Sequence, residues 1–129
     1  MKFYLFRALE KTNLYEYTDM YWNSWREMIK NNATTCTEAE TYGRSECHAW
    51  GSLALYELPS AILGVKSASA GYRTLTVKPV VGYLDFAEGT VKTPLGNIKV
   101  SWKKENGNIM LNYEIPEGMH IDLNASLIT

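Results

Sequence analysis

The hydrophobic period of this chain changes partway along, from three and four residues to two, and that switch restricts the folds open to it. Phe3, Phe6 and Leu9 recur at i, i+3, with Leu5 and Ala8 beside them. After Asn13, which breaks the run, Leu14, Tyr17, Tyr21, Trp22, Trp25, Met28 and Ile29 recur at three- and four-residue spacing until Asn31-Asn32. Such spacing lines one face of a helix. Past residue 73 the pattern is alternation. Ile98, Val100 and Trp102 alternate with Lys99, Ser101 and Lys103, and Ile109, Leu111, Tyr113 and Ile115 with Met110, Asn112 and Glu114. Asn106-Gly107 between these runs is a hairpin signal, because tight β-turns need left-handed φ that Asn and Gly tolerate. Met119, Ile121, Leu123 and Ala125 form a further alternating run, while Leu75 and Val77 precede Pro79, and Leu84 and Phe86 lead to Gly89. Turns are expected at Val81-Gly82, Pro94-Leu95-Gly96 and Pro116-Glu117-Gly118. The expected fold class is α+β: N-terminal helices over residues 1–64, then an antiparallel β-sandwich over residues 72–129, joined by Val65–Arg73.

Between the two helices and the strands, residues 33–44 are small and polar and include Gly43, so a loop is expected. Ser45 is the expected N-cap of a third helix reaching about Leu63, with Gly64 as its C′ residue. Pro59 inside that helix removes one backbone donor and is expected to kink or restart it.

Composition narrows the function. The chain has 129 residues, 46% apolar, with a net charge of −1. That is enough for one ordinary domain or two small pieces. No basic cluster offers a nucleic-acid surface; Lys103-Lys104 reads as a solvated strand end. No stretch approaches the roughly 18 apolar residues of a membrane span. Arg7, Glu10 and Lys11 interrupt the N-terminal apolar run too early for a signal peptide, so it reads as helix. Localisation stays open. Cys36 and Cys47 fit free, partly buried thiols, and a disulfide between them stays open as the alternative. Four Trp, nine Tyr and three Phe are more aromatic surface than so few helices can cover. Tyr15, Tyr17, Tyr21, Trp22 and Trp25 crowd one helix on more than one face. The first half therefore reads as the tail of a larger helical domain cut at Met1, and the face around Trp22 and Trp25 is expected to be open and to drive homo-oligomerisation.

Chemistry-bearing residues concentrate around the third helix: Thr34-Thr35-Cys36-Thr37-Glu38 upstream, then Ser45-Glu46-Cys47-His48-Ala49-Trp50 at its mouth. A carboxylate, an imidazole and an indole converging at one helix mouth suit a sugar-processing pocket. Each also has a plainer reading. Glu38 could be a solvated or capping carboxylate with Glu40 as competitor, and His48 a helix-start histidine donating to a carbonyl. The aromatic run at 15–25 reads as helix packing before it reads as a stacking platform. Cys36, Glu38, Cys47 and His48 fit no standard zinc spacing, so no metal is expected, and no Ser-His-Asp set or phosphate-binding Gly loop is present. His120 reads as solvated.

Taken in order, Thr35-Cys36-Thr37-Glu38, Cys47-His48-Ala49-Trp50, Leu63-Gly64-Val65, Gly89-Thr90-Val91, Thr93-Pro94 and Gly96 resemble the C-terminal part of the bacterial α-L-rhamnosidases, glycoside hydrolase family 78. The resemblance runs over most of the chain. It implies that residues 1–64 correspond to the last helices of an (α/α)6 catalytic barrel and residues 72–129 to the β-sandwich that follows. It implies an enzyme that hydrolyses terminal α-L-rhamnosyl bonds with inversion, acts on a rhamnose-containing glycoside or polysaccharide, and uses no cofactor. In that family the general base is a glutamate in a Thr-x-x-Glu setting, which Thr35 and Glu38 match, so Glu38 is the implied base. His48 matches a histidine that contacts the sugar, and Trp50 is a further candidate wall of the pocket. The general acid lies in barrel segments absent from this chain, so the isolated chain is expected to be inactive. The alternative is a non-catalytic sandwich that buttresses the barrel or binds carbohydrate. Alternation places the strand aromatics with the aliphatic core, which favours buttressing.

Overall fold

In the computed structural model, which describes residues 2–38 and 45–122, the chain parts into two units, Met1–Tyr56 and Glu57–Thr129. Phe6 organises the first. It is the one fully buried residue of α1 (Lys2–Lys11). Its ring meets Tyr15 at 6.3 Å, Trp22 at 5.0 Å and Trp25 at 6.3 Å, all edge to face. That geometry sets the positive ring edge against the negative ring face. Trp22 and Trp25, at 5.1 Å from each other, are each only 9% exposed. The expectation of an open face there is therefore wrong: the unit closes on its own indoles. The apolar side chains it exposes are others, such as Met20 and Ile29.

The second predicted helix is divided. Residues Tyr15–Trp22 form a 3-10 helix, and only Asn23–Lys30 (α2) is α-helical. Thr18, fully buried, donates its hydroxyl to the Tyr15 carbonyl at 2.7 Å. A side chain that takes a carbonyl three residues back favours the tighter winding. Both helical ends fall where asparagines were expected to stop them. Asn13 (φ 58) and Asn32 (φ 55) are left-handed, with Leu14 N–H donating to Leu9 O and Ala33 N–H to Met28 O. These six-to-one bonds are Schellman closures with Asn in the place of Gly.

The third helix begins later than its predicted cap. Ser45 donates its hydroxyl to Cys47 O, and His48 is extended (φ −133, ψ 128). Two backbone bonds hold this stretch straight: Glu38 N–H to Ser45 O and His48 N–H to Cys36 O, each 2.9 Å. Winding starts at Ala49–Ser52 as a 3-10 turn, continues as α3 (Leu53–Glu57), and ends as a π turn over Leu58–Ile62. Pro59 lies in that last turn, where Leu63 N–H reaches back to Leu58 O. The helix neither breaks nor restarts cleanly at the proline; it widens. Gly64 (φ 76) follows, and a Cβ there would stand 2.1 Å from Pro79 N, so only glycine fits. Glu40 and Gly43 of the predicted loop, and Leu123 and Ala125 of the last predicted strand, lie outside the described residues.

The second unit is two facing sheets. One carries β1 (Val65–Ser67), β2 (Thr74–Val77) and β6 (His120–Ile121), in the order β1-β2-β6. The other is a meander of β3 (Phe86–Thr93), β4 (Gly96–Glu105) and β5 (Asn108–Glu114). All pairs are antiparallel except β2 with β6, which run parallel. Asn106 (φ 51) and Gly107 (φ 81) make the two-residue β4–β5 turn, both left-handed as a type I′ turn requires. Between the sheets lie Leu63, Val65, Leu75, Val77, Val91, Ile98, Val100 and Met119. Trp102 is buried, and its indole N–H closes on Ile62 O at 2.7 Å. The other strand aromatics do not follow it. Tyr113 shares the inner face with Val100 but is half-exposed. The β1-β2-β6 strands, of 3, 4 and 2 residues, cannot cover strands of 8, 10 and 7. Phe86, on the outer face, is 68% exposed.

Candidate functional site

The extended pairing of residues 36–38 with 45–48 brings Glu38 and His48 together. Thr35 adds a hydroxyl bond to the Glu46 carbonyl, tying the same two stretches. The following turn places Trp50 beside them. Glu38, His48 and Trp50 line one hollow of about 490 Å³ within the first unit, with Lys2, Tyr4, Trp25 and Thr37 among its other walls. Glu38 is exposed, as is Trp50 at 57%, and His48 is half-buried.

Gly51 is the hinge pin of this arrangement. Its carbonyl accepts the Trp25 indole N–H at 2.7 Å, and a Cβ on it would lie 2.4 Å from Thr37 O. The turn after His48 can therefore press against the segment carrying Glu38 only because residue 51 has no side chain. Lys2 bonds to Ser24 Oγ and places its ammonium 5.2 Å from the Trp25 ring, which holds a cation at the far wall. Trp50 packs against Phe3 at 6.1 Å and Tyr4 at 5.9 Å, leaving one side of the indole open.

One ring nitrogen of His48, Nδ1, makes no bond of the kind the plainer reading needs. That atom is buried and has no hydrogen-bond partner among the described residues. An unpaired buried imidazole nitrogen is costly unless something else supplies a partner. Cys36 and Cys47 are free thiols, the first half-buried and the second exposed. Among the described residues no group of three or more His, Cys, Asp or Glu could hold a metal ion, and no helix is long and apolar enough to cross a membrane. Sequence spacing did not foresee Lys2, Tyr4 or Gly51 as walls. Lys2 and Tyr4 sit in a run that carries only a helical signal, and the need for glycine at 51 appears only once the two stretches meet.

A helical unit with a carboxylate, an imidazole and an indole around one hollow is thus followed by two packed sheets. Comparison with known proteins makes this specific. The sequence model of the bacterial alpha-L-rhamnosidase C-terminal domain matches residues 64–125. An alpha-L-rhamnosidase of Alteromonas sp. (strain LOR) is 32% identical over a match covering 72% of this chain and 11% of that protein. The crystal structure of a GH78 family rhamnosidase of Bacillus sp. GL1 superposes with a TM-score of 0.73 at 31% identity, covering 93% of this chain and 15% of that one. The Streptomyces avermitilis alpha-L-rhamnosidase, solved with L-rhamnose, matches 75% of this chain and 11% of its own at a TM-score of 0.62 and 22% identity, a likeness of fold. The chain belongs to glycoside hydrolase family 78, the bacterial α-L-rhamnosidases, and corresponds to their C-terminal part. It spans only 11–15% of the length of these relatives.

Proposed function

We propose that this chain supplies the base side of an inverting α-L-rhamnosidase site. Glu38 removes a proton from the water that attacks the anomeric carbon, His48 hydrogen-bonds the rhamnose ring, and Trp50 walls the sugar. Inversion requires a second carboxyl group across the scissile bond, roughly 6.5–9.5 Å away, to protonate the leaving oxygen. That acid belongs to protein outside this chain, so the chain alone is inactive. Residues 1–64 would serve as the closing helices of the (α/α)6 barrel and residues 72–129 as the sandwich behind it. The substrate is a rhamnose-containing glycoside.

One observation carries the reading: Glu38, His48 and Trp50, a carboxylate, an imidazole and an indole, line a single hollow. A sugar ring offers hydroxyls to such a carboxylate and imidazole and a C–H face to such an indole. The test is an amide NMR titration of the chain with L-rhamnose. Shifts clustered at residues 35–38 and 48–50, lost in His48→Ala, are the expected result. Absence of shifts there would remove the support for these roles, and turnover of an aryl α-L-rhamnoside by the chain alone would overturn the inactivity clause.

A further inference from the structure

Alternation along β3, β4 and β5 sends one set of side chains into the core and leaves the other on the outer face, and registry sorts that outer set into rows. Phe86, Lys103 and Met110 lie side by side across the strands, then Glu88, Ser101 and Asn112, then Thr90, Lys99 and Glu114. Phe86 and Met110 are 68% and 54% exposed. The first row is thus an exposed ring and a thioether flanking an alkyl stem, which together make a small apolar strip. The second row is a carboxylate, a hydroxyl and an amide whose side chains make no hydrogen bond to the protein among the described residues. Two shallow hollows, of about 410 and 560 Å³, lie along these rows.

Charge decides among the ligands such a face could take. Lys99 is paired with Glu114 at 2.7 Å and Lys103 with Glu105 at 3.1 Å. With the two ion pairs cancelled, Glu88 and Lys92 are left to balance each other, so the face has no net pull on a polyanion such as nucleic acid or an acidic membrane. A protein partner is poorly served as well. A stable protein interface buries roughly 1,200–2,000 Å² around an apolar centre, and this strip holds two apolar side chains. A pyranose chain has the matching form: C–H faces that stack on an aromatic ring, and a rim of hydroxyls that are both donors and acceptors. Adjacent strands stand about 4.8 Å apart, so Glu88, Ser101 and Asn112 present hydrogen-bonding groups over about two such steps, one row away from the ring.

We propose that the outer face of the β3-β4-β5 sheet is a second saccharide-binding surface, selective for a neutral oligosaccharide, with Phe86 as the stacking residue and Glu88, Ser101 and Asn112 as the hydrogen-bonding row. It is separate from the hollow that holds Glu38 and does not depend on the roles proposed there.

The test is an amide NMR titration of the whole chain with cellohexaose, xylohexaose and, as the acidic control, a galacturonic acid hexamer, each at millimolar concentration. Expected are shifts confined to residues 86–92, 97–105 and 108–114 with at least one neutral hexamer. Phe86→Ala and Glu88→Ala should each weaken the binding about tenfold or more, close to 1.4 kcal/mol. Both side chains are exposed, so unchanged signals from Val91, Ile98 and Val100 will show that the sheet is intact. The proposal is overturned by silence with both neutral hexamers, by shifts that persist in both variants, by binding of the acidic hexamer alone, or by shifts only near residues 35–50.

Discussion

Replacing Gly51 with alanine should displace the backbone that carries the site. The new Cβ would stand 2.4 Å from Thr37 O and 3.2 Å from Cys36 C and O. Ordinary contact begins near 3.4 Å, so backbone must move by about 1 Å. The obstacle is a carbonyl in a segment fixed by the Glu38–Ser45 and His48–Cys36 bonds, and Gly51 itself is held by the Trp25 indole at 2.7 Å. Relief therefore costs either overpacking, about 1–3 kcal/mol, or a hydrogen bond, about 1 kcal/mol net, and about 2–4 kcal/mol if both are incurred. The same displacement would shift Glu38 against His48, and the roles proposed for them depend on their relative placement. Urea unfolding followed by tryptophan fluorescence gives the stability change, and amide spectra of residues 35–38 and 48–51 report the displacement. A Gly51→Ala chain within about 0.5 kcal/mol of the parent, a change typical of a neutral surface site, with unmoved amides at 36–38, would refute the close-approach argument.

Two further outcomes are expected. Trp102→Phe should lower stability by about 1–3 kcal/mol in chemical denaturation, because the Ile62 carbonyl loses its buried donor. Lys99 is held above the ordinary lysine value, first by its hydrogen bond to Glu114 and then by that carboxylate's charge. A raised folded-state value means the stabilising contribution is complete below the ordinary lysine value and is lost as pH rises through the raised one. Direct NMR titration of the Lys99 ammonium should show the midpoint falling back toward the ordinary value in Glu114→Gln, and an unchanged midpoint would remove Glu114 as the cause.

What could be read from the sequence was what depends on local chemistry. The two-residue period found β4 and β5, Asn106-Gly107 found their turn, Asn13 and Asn32 found two helix ends, and Gly64 found the third. The features missed depend on groups distant in sequence or on competition between similar windings. Three- and four-residue spacings serve 3-10 and α-helix alike, so Tyr15–Trp22 read as α until Thr18 was seen to hold Tyr15 O. Ser45 has the chemistry of a cap, but its neighbours pair with residues 36–38 instead. Trp22 and Trp25 looked stranded because nothing in a linear pattern shows that Phe6 reaches them. Among the walls of the hollow, Glu38, His48 and Trp50 were singled out by their ordered motif. Lys2 and Tyr4 were not, because a wall made by a distant helix leaves no trace in spacing.

The parallel pairing of β6 on β2 has a kinetic consequence. The β3-β4-β5 meander closes through short turns, so its ladders form from neighbours in sequence. The β2–β6 ladder joins Thr74 to His120, with the whole meander lying between them. Contacts that span so much chain carry a loop-closure cost that must be met before they return anything. The last rung of the smaller sheet should therefore be laid down after the larger sheet exists, and be the first to open when the protein breathes.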